Sequence, residues 1–275
     1  MDARAANVEQ HITVAFRKTD ALIGLEPVGD RIDELQLLVE ESFRQAAMRE
    51  PEAWIELGDF KLELDDAGGA TEAFASADAH GVPEGAYRAA STIWEWKITR
   101  RSAEAVAFAK KAGAAGEYLL GLFAFHGWGV EKSESASRAH HELAAAAGNV
   151  DAMFELYAMI GQGIGGVPDE ERANDFCERA AEAGHVRAMA NLATFYATGR
   201  GGKAKTLTLA VRWYDRAARK GHGKAAATLG CMYALGDEIP QDSERAQEYF
   251  RLSDGNGFDW RDIADAIGLD PTEWE

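Results

Sequence analysis

Three groups of residues in this chain are of a type that could do chemistry: the glycines of "GQGIGG" at 161–166, the seven histidines and the two cysteines. Gly161, Gly163 and Gly166 reproduce the Gly-x-Gly-x-x-Gly spacing of a dinucleotide-binding loop, in which backbone N–H groups approach a pyrophosphate at a helix N-terminus. That chemistry needs a strand before the loop and a helix after it. The preceding "DAMFELYAMI" instead carries Met153, Leu156, Tyr157 and Ile160 at helical spacing, so the motif predicts a reversal between two helices. Among the histidines, His140 and His141 are adjacent and point to different sides of a helix, which is poor for joint coordination. His185 and His222 each follow a glycine, and none of the seven has a second histidine four residues on with a glutamate between. Cys177 and Cys231 lie far apart with no Cys-x-x-Cys pair, which excludes a disulfide framework and a zinc knuckle and leaves them as small core or groove residues. A Gly-x-Ser-x-Gly elbow is absent, and adjacent carboxylates such as Asp65–Asp66 carry no information among 46 acidic residues. No catalytic residue, no metal and no cofactor is expected.

The elements that hold these residues repeat. Gly81, Gly116, Gly148, Gly184, Gly221 and Gly257 close successive units at intervals of 35, 32, 36, 37 and 36 residues. A second series, Gly127, Gly163, Gly199 and Gly236, sits in the loops "HGWGV", "GQGIGGV", "TGRGG" and "LGDEI" at spacings of 36, 36 and 37. Each unit carries small and large apolar residues three and four apart before the loop, as in Ala188, Leu192, Ala193 and Tyr196. After the loop the same pattern returns, as in Ala210, Trp213, Tyr214, Ala217 and Ala218. Small residues facing large ones let two helices interdigitate, and a terminal glycine suits a left-handed helix cap, so each unit reads as a helical hairpin.

These units resemble Sel-one-like repeats, relatives of tetratricopeptide repeats. The resemblance rests on "AMANLATFYATGRGGKAKTLTLAVRWYDRAARKGH" and on the following unit through Leu229-Gly230, Tyr233, Gly236, Ala246, Tyr249-Phe250 and Gly257. The units closing at Gly148 and Gly184 keep the loop but place Ala124 or Ile160 where the tyrosine usually stands. The two before them are degenerate, although Trp54, Leu57 and Gly58 resemble the first helix of a tetratricopeptide repeat. The resemblance implies an all-α, right-handed α/α solenoid (superhelix) of stacked helical hairpins. Its parts are an N-terminal helical pair at 1–50 that caps the solenoid, repeats at 51–257 with the last four (117–257) clearest, and an acidic capping helix and tail at 258–275. Within the first part, helices are expected at 4–22 and from an N-cap at Asp30, with Pro27 and Gly29 between them.

The resemblance also implies non-enzymatic work: binding a partner protein or peptide on the concave face lined by the first helices, as adaptor or regulator. A dedicated inhibitor, immunity or chaperone protein for one effector or toxin is the alternative, and an enzyme or small-ligand receptor with a site in the groove is the third. Tetratricopeptide geometry places Tyr118, Leu122, Phe125 and His126 on that face, then Asp151 and Phe154, then Arg187, Thr194 and Thr198. Two readings of Tyr118, Leu122 and Phe125 are open, a partner's anchor patch or the core of an irregular unit. The net charge of −17 disfavours nucleic acid. It is unevenly spread: residues 1–81 carry −11 and residues 186–257 carry +4, with Arg200, Lys203, Lys205, Arg212, Arg216, Arg219, Lys220 and Lys224 forming a basic stretch. The first residues lack a signal peptide's basic start and apolar run, and no segment is apolar enough to span a bilayer, so a cytoplasmic protein without a membrane partner is expected. Self-association is left open by the sequence.

Overall fold

A computed structural model describes residues 28–274, so the helix expected at 4–22 lies outside the described residues. Those residues form fourteen α-helices with short 3-10 turns and no strand. They divide into two compact units, one up to Ser133 and one from Glu134.

The first unit contains α1 (Val28–Ala47), α2 (Ala53–Glu63), α3 (Ala67–Ala79), α4 (Pro83–Glu95), α5 (Ser102–Lys111) and α6 (Glu117–His126), each packed on the next. The start of α1 corrects the sequence reading: Gly29 and Asp30 lie inside its first turn and do not precede it. The core is built from large side chains against small ones. Phe74 of α3 is wholly buried against Ala70 and Ala89, and a Cβ on Gly58 of α2 would lie 2.2 Å from its ring. Further along, Ile93, Val106, Leu119, Leu120 and Phe123 close around Ala90, Ala105 and Ala109. Each large side chain buried in this way contributes about 2 kcal/mol.

The second unit contains α7 (Glu134–Ala146), α8 (Val150–Gln162), α9 (Glu170–Glu182), α10 (Val186–Thr198), α11 (Leu207–Arg219), α12 (Gly223–Leu235), α13 (Ser243–Gly255) and α14 (Arg261–Ile267). Successive helices from α7 to α13 pack together, and α14 returns onto α12. Alanines carry the close approaches: Ala173, Ala180, Ala181, Ala188, Ala193, Ala210, Ala217 and Ala218 are all almost fully buried. Beyond α13, Trp260 is buried and stacks on Phe250 at 3.8 Å, with Trp274 edge-on to the same ring at 6.0 Å.

The loop glycines stop the first helices. Gly127, Gly163, Gly199 and Gly236 cap α6, α8, α10 and α12 in the left-handed conformation, with φ of 70°, 72°, 71° and 71°. Of the glycines that close the units, Gly116 departs from the expected left-handed cap, since its φ is −80°. It is glycine for a different reason, because a Cβ there would sit 1.8 Å from the Ala109 carbonyl oxygen.

Candidate functional site

In α6 the core stripe is Leu119, Leu120, Phe123 and Ala124, all buried. Tyr118, Leu122 and Phe125 are half-buried beside that stripe, and His126 is exposed at the helix end. Leu122 packs against the core cluster, whereas Tyr118 and Phe125 sit at its margin and keep part of their rings in water.

His126 brings in residues that the sequence reading missed. Its ring lies 5.1 Å from Phe125 and 5.4 Å from Trp94 of α4. Trp94 in turn meets Trp128, in the loop after α6, at 5.2 Å and 88°, and Phe123 at 5.6 Å. The Lys97 ammonium stands 3.7 Å from the Trp94 ring centroid, and Lys132 stands 5.8 Å from Phe125. Trp96 is exposed next to them. The signal for this group was "TIWEWK" with "HGWG": three of the chain's seven tryptophans fall between residues 94 and 128, two in the degenerate unit that closes at Gly116 and one in the loop of the unit after it.

In the second unit the predicted residues gather at the start of α8 and α10. Phe154 is 8% exposed, so the structure places it beneath the surface and not on it. The His185 ring stacks on it at 4.2 Å and 19°, and the Arg187 guanidinium lies 4.9 Å from the same ring. His185 Nε2 is 3.7 Å from the exposed Asp151 carboxylate, while its Nδ1 accepts the Ala188 N–H at 3.2 Å and so caps α10. Burial holds the His185 imidazole below its usual range, against the pull of Asp151, which keeps that nitrogen an acceptor. Further along α10, Thr194 donates to the Ala190 carbonyl at 3.0 Å and shares a 2.9 Å hydrogen bond with the Tyr214 hydroxyl of α11. Thr198 donates to the Thr194 carbonyl at 2.8 Å. Both threonines are exposed, yet the Thr198 hydroxyl is engaged within α10 and the Thr194 hydroxyl also reaches α11.

With this geometry in place, the family is decided by the repeats themselves: the model of the Sel1 repeat matches residues 114–149, 150–185, 186–222 and 223–253. The chain belongs to the Sel1 repeat family. Helical repeats of this family serve as scaffolds for protein–protein interaction. Among solved structures, a Sel1 repeat protein from Oxalobacter formigenes is 31% identical with a TM-score of 0.63, over 74% of this chain and 84% of that one. A protective antigen of uropathogenic Escherichia coli with an SLR fold is 22% identical with a TM-score of 0.64, over 93% of this chain and 55% of that one, a likeness of fold alone. An immunity protein from Pseudomonas aeruginosa is 21% identical with a TM-score of 0.43, over 64% and 67% of the two chains, too loose a likeness to bear on function. No curated protein matches the chain.

The Sel1 hairpins also explain the remaining sequence candidates. Several residues of the basic stretch are engaged within the fold. Lys203 pairs with Glu178 at 2.6 Å inside a cleft of about 620 Å³ that Glu170, Glu171 and Asp175 also line. Lys205 pairs with Glu238, Arg219 with Asp215 and Glu248 at 2.7 and 3.1 Å, and Arg216 lies over Trp213 at 4.3 Å. Arg200, Arg212, Lys220 and Lys224 are exposed. Burial pushes the Cys177 thiol up to about 12 and the Cys231 thiol up to about 11, which leaves both protonated and unreactive at neutral pH. His222 repeats the role of His185: its Nδ1 accepts the Ala225 N–H at 3.1 Å and caps α12. Among the described residues no helix is long and apolar enough to cross a membrane.

Proposed function

We propose that this Sel1 repeat chain is a non-enzymatic interaction module that captures a partner protein or peptide, as adaptor or regulator, and that α6 with its neighbouring aromatics is the anchor of that contact. The observation that carries this reading is the division of labour on α6. Leu119, Leu120 and Phe123 already fill the core, yet Tyr118 and Phe125 stand half-exposed beside them, with His126, Trp94 and Trp128 extending the aromatic surface. Aromatic side chains with a wet margin supply large contact area at little entropic cost, and such residues dominate binding energy at protein interfaces. Within the second unit, the first-helix residues Asp151, Arg187, Thr194 and Thr198 are exposed and polar. The buried and protonated state of Cys177 and Cys231 favours a binding role over nucleophilic catalysis.

The test is quantitative affinity capture with the wild-type chain and with Tyr118→Ala/Phe125→Ala. The reading expects one partner recovered at fixed stoichiometry by the wild type and lost by the double variant, whose helicity and melting temperature match the wild type. Equal recovery by both proteins would overturn it, and loss of folding in the variant would assign the two rings to the core.

A further inference from the structure

At the end of α4 the backbone turns through Lys97 with φ of 52°, in the left-handed region. The Lys97 amide donates to the Trp94 carbonyl at 3.1 Å and the Ile98 amide to the Ile93 carbonyl at 3.0 Å, the bonding of a helix stop. This is a glycine position, as the four loop caps show, and a lysine there carries a steric strain that glycine would not. Among the described residues the other left-handed residue without a glycine's freedom is Asp65, a type that tolerates this conformation; lysine is not such a type. Strain kept at one position calls for a reason in the side chain.

The side chain supplies one. The Lys97 ammonium does not fold back onto the helix's free carbonyls, and no carboxylate among the described residues forms an ion pair with it. It lies 3.7 Å from the centroid of Trp94 and 5.9 Å from that of Trp128, and the two indoles stand at 88° to each other. Two perpendicular indole rings around one cation make the corner of an aromatic cage, which attracts a positive charge through the negative faces of both rings. His126 and Phe123 back Trp94 at 5.4 and 5.6 Å, and Trp128 Nε1 has no hydrogen-bond acceptor among the described residues, so packing alone sets the tilt of that ring.

We propose that the Trp94–Trp128 corner is a receptor for a lysine side chain of a basic partner protein, and that Lys97 occupies it in the free chain as a tethered surrogate. The occupant is argued from what the corner already holds, a primary ammonium on a flexible stem. The chain's net charge of −17 favours a basic partner on approach. An incoming ammonium displaces Lys97 into water, so the surrogate weakens binding of any cation until the partner's other contacts make up the difference. The inference rests on the partner-binding reading only for the partner being a protein. The corner itself is tested without a partner.

The probe is Nα-acetyl-Nε-trimethyllysine amide, compared with its neutral analogue in which carbon replaces the charged nitrogen. It is titrated into the wild-type chain, Lys97→Gly and Lys97→Gly/Trp94→Leu, with the indole N–H resonances read by NMR. Lys97→Gly suits the left-handed backbone and removes the internal cation. The expected result is saturable movement of the Trp94 and Trp128 signals by the charged probe, at least about fivefold tighter in Lys97→Gly than in the wild type. The neutral analogue should bind more weakly, and Lys97→Gly/Trp94→Leu should not respond at those signals. Equal affinity in wild type and Lys97→Gly, or equal binding of the two probes to Lys97→Gly, would overturn the cage. The probe comparison on Lys97→Gly decides the matter even if the Trp94 variant fails to fold. A negative result there leaves partner capture through Tyr118 and Phe125 standing, whereas loss of that capture leaves the cage result standing.

Discussion

His185 and His222 are structural acceptors, and His141 is a buried base. His185 follows Gly184 as His222 follows Gly221, and in the preceding repeat Asn149 holds the same place, where its side-chain oxygen accepts the Ala152 N–H at 2.8 Å. An imidazole and an amide thus do one job, satisfying a helix N-terminus. His185→Asn should leave stability within a few tenths of a kcal/mol, while His185→Ala should cost about 1 kcal/mol, measured by urea unfolding at pH 7.5. His141 is different, being 2% exposed, and burial pushes its imidazole down to about 4 from an ordinary value near 6.5. Between those values the unfolded chain binds a proton that the folded chain does not. Its contribution to stability is therefore whole above pH 6.5 and is lost as pH falls to about 4, a loss of about 3 kcal/mol. Urea unfolding across pH 7.5 to 4 should show a smaller fall in His141→Gln than in the wild type, and parallel curves would show that His141 does not titrate in this way.

At the scale of elements, "GQGIGG" is a helix end followed by a docking contact. Gly163 caps α8, and two residues on, Gly165 has φ of 73° and lies so close to α7 that a Cβ would meet the Glu134 carbonyl oxygen at 2.4 Å. The same pair recurs one repeat earlier, where a Cβ on Gly129 would meet the Ser102 carbonyl oxygen at 2.5 Å. The first glycine stops a helix and the second lets the loop touch the start of an earlier one. Gly161 has no such duty, since a Cβ there would find its nearest neighbour at 3.6 Å and the residue lies within α8. Gly161→Ala should stabilise the protein by about 0.5–1 kcal/mol, and Gly165→Ala should destabilise it by about 1–3 kcal/mol, both read from thermal melts. A phosphate loop would show no such contrast. The hairpins were legible in the sequence because their glycines and alanines recur at one period. Hidden from it were the second glycine's contact, which needs a neighbouring repeat, and the start of α1, where Gly29 and Asp30 punctuate a helix without ending it.

For the molecule as a whole, the repeat identity was carried by residues 186–257, where Tyr196, Trp213, Tyr233 and Tyr249 keep the family pattern. The proposed binding surface was harder to read because its residues lie in units that depart from that pattern. Trp94 and Lys97 lie in a degenerate unit and Trp128 stands at a loop place filled by unlike residues in the other repeats, so periodicity passed over them, and only the fold brings the three together. Within the basic stretch, Lys203, Lys205 and Arg219 are engaged in ion pairs that only the folded repeats bring together. An acidic scaffold whose irregular unit carries the anchor is the central claim, and it makes one direct demand. With the captured partner purified, calorimetric titration should give a dissociation constant at least about 100-fold weaker for Tyr118→Ala/Phe125→Ala than for the wild type, at an unchanged melting temperature. A constant within twofold of the wild type would contradict it.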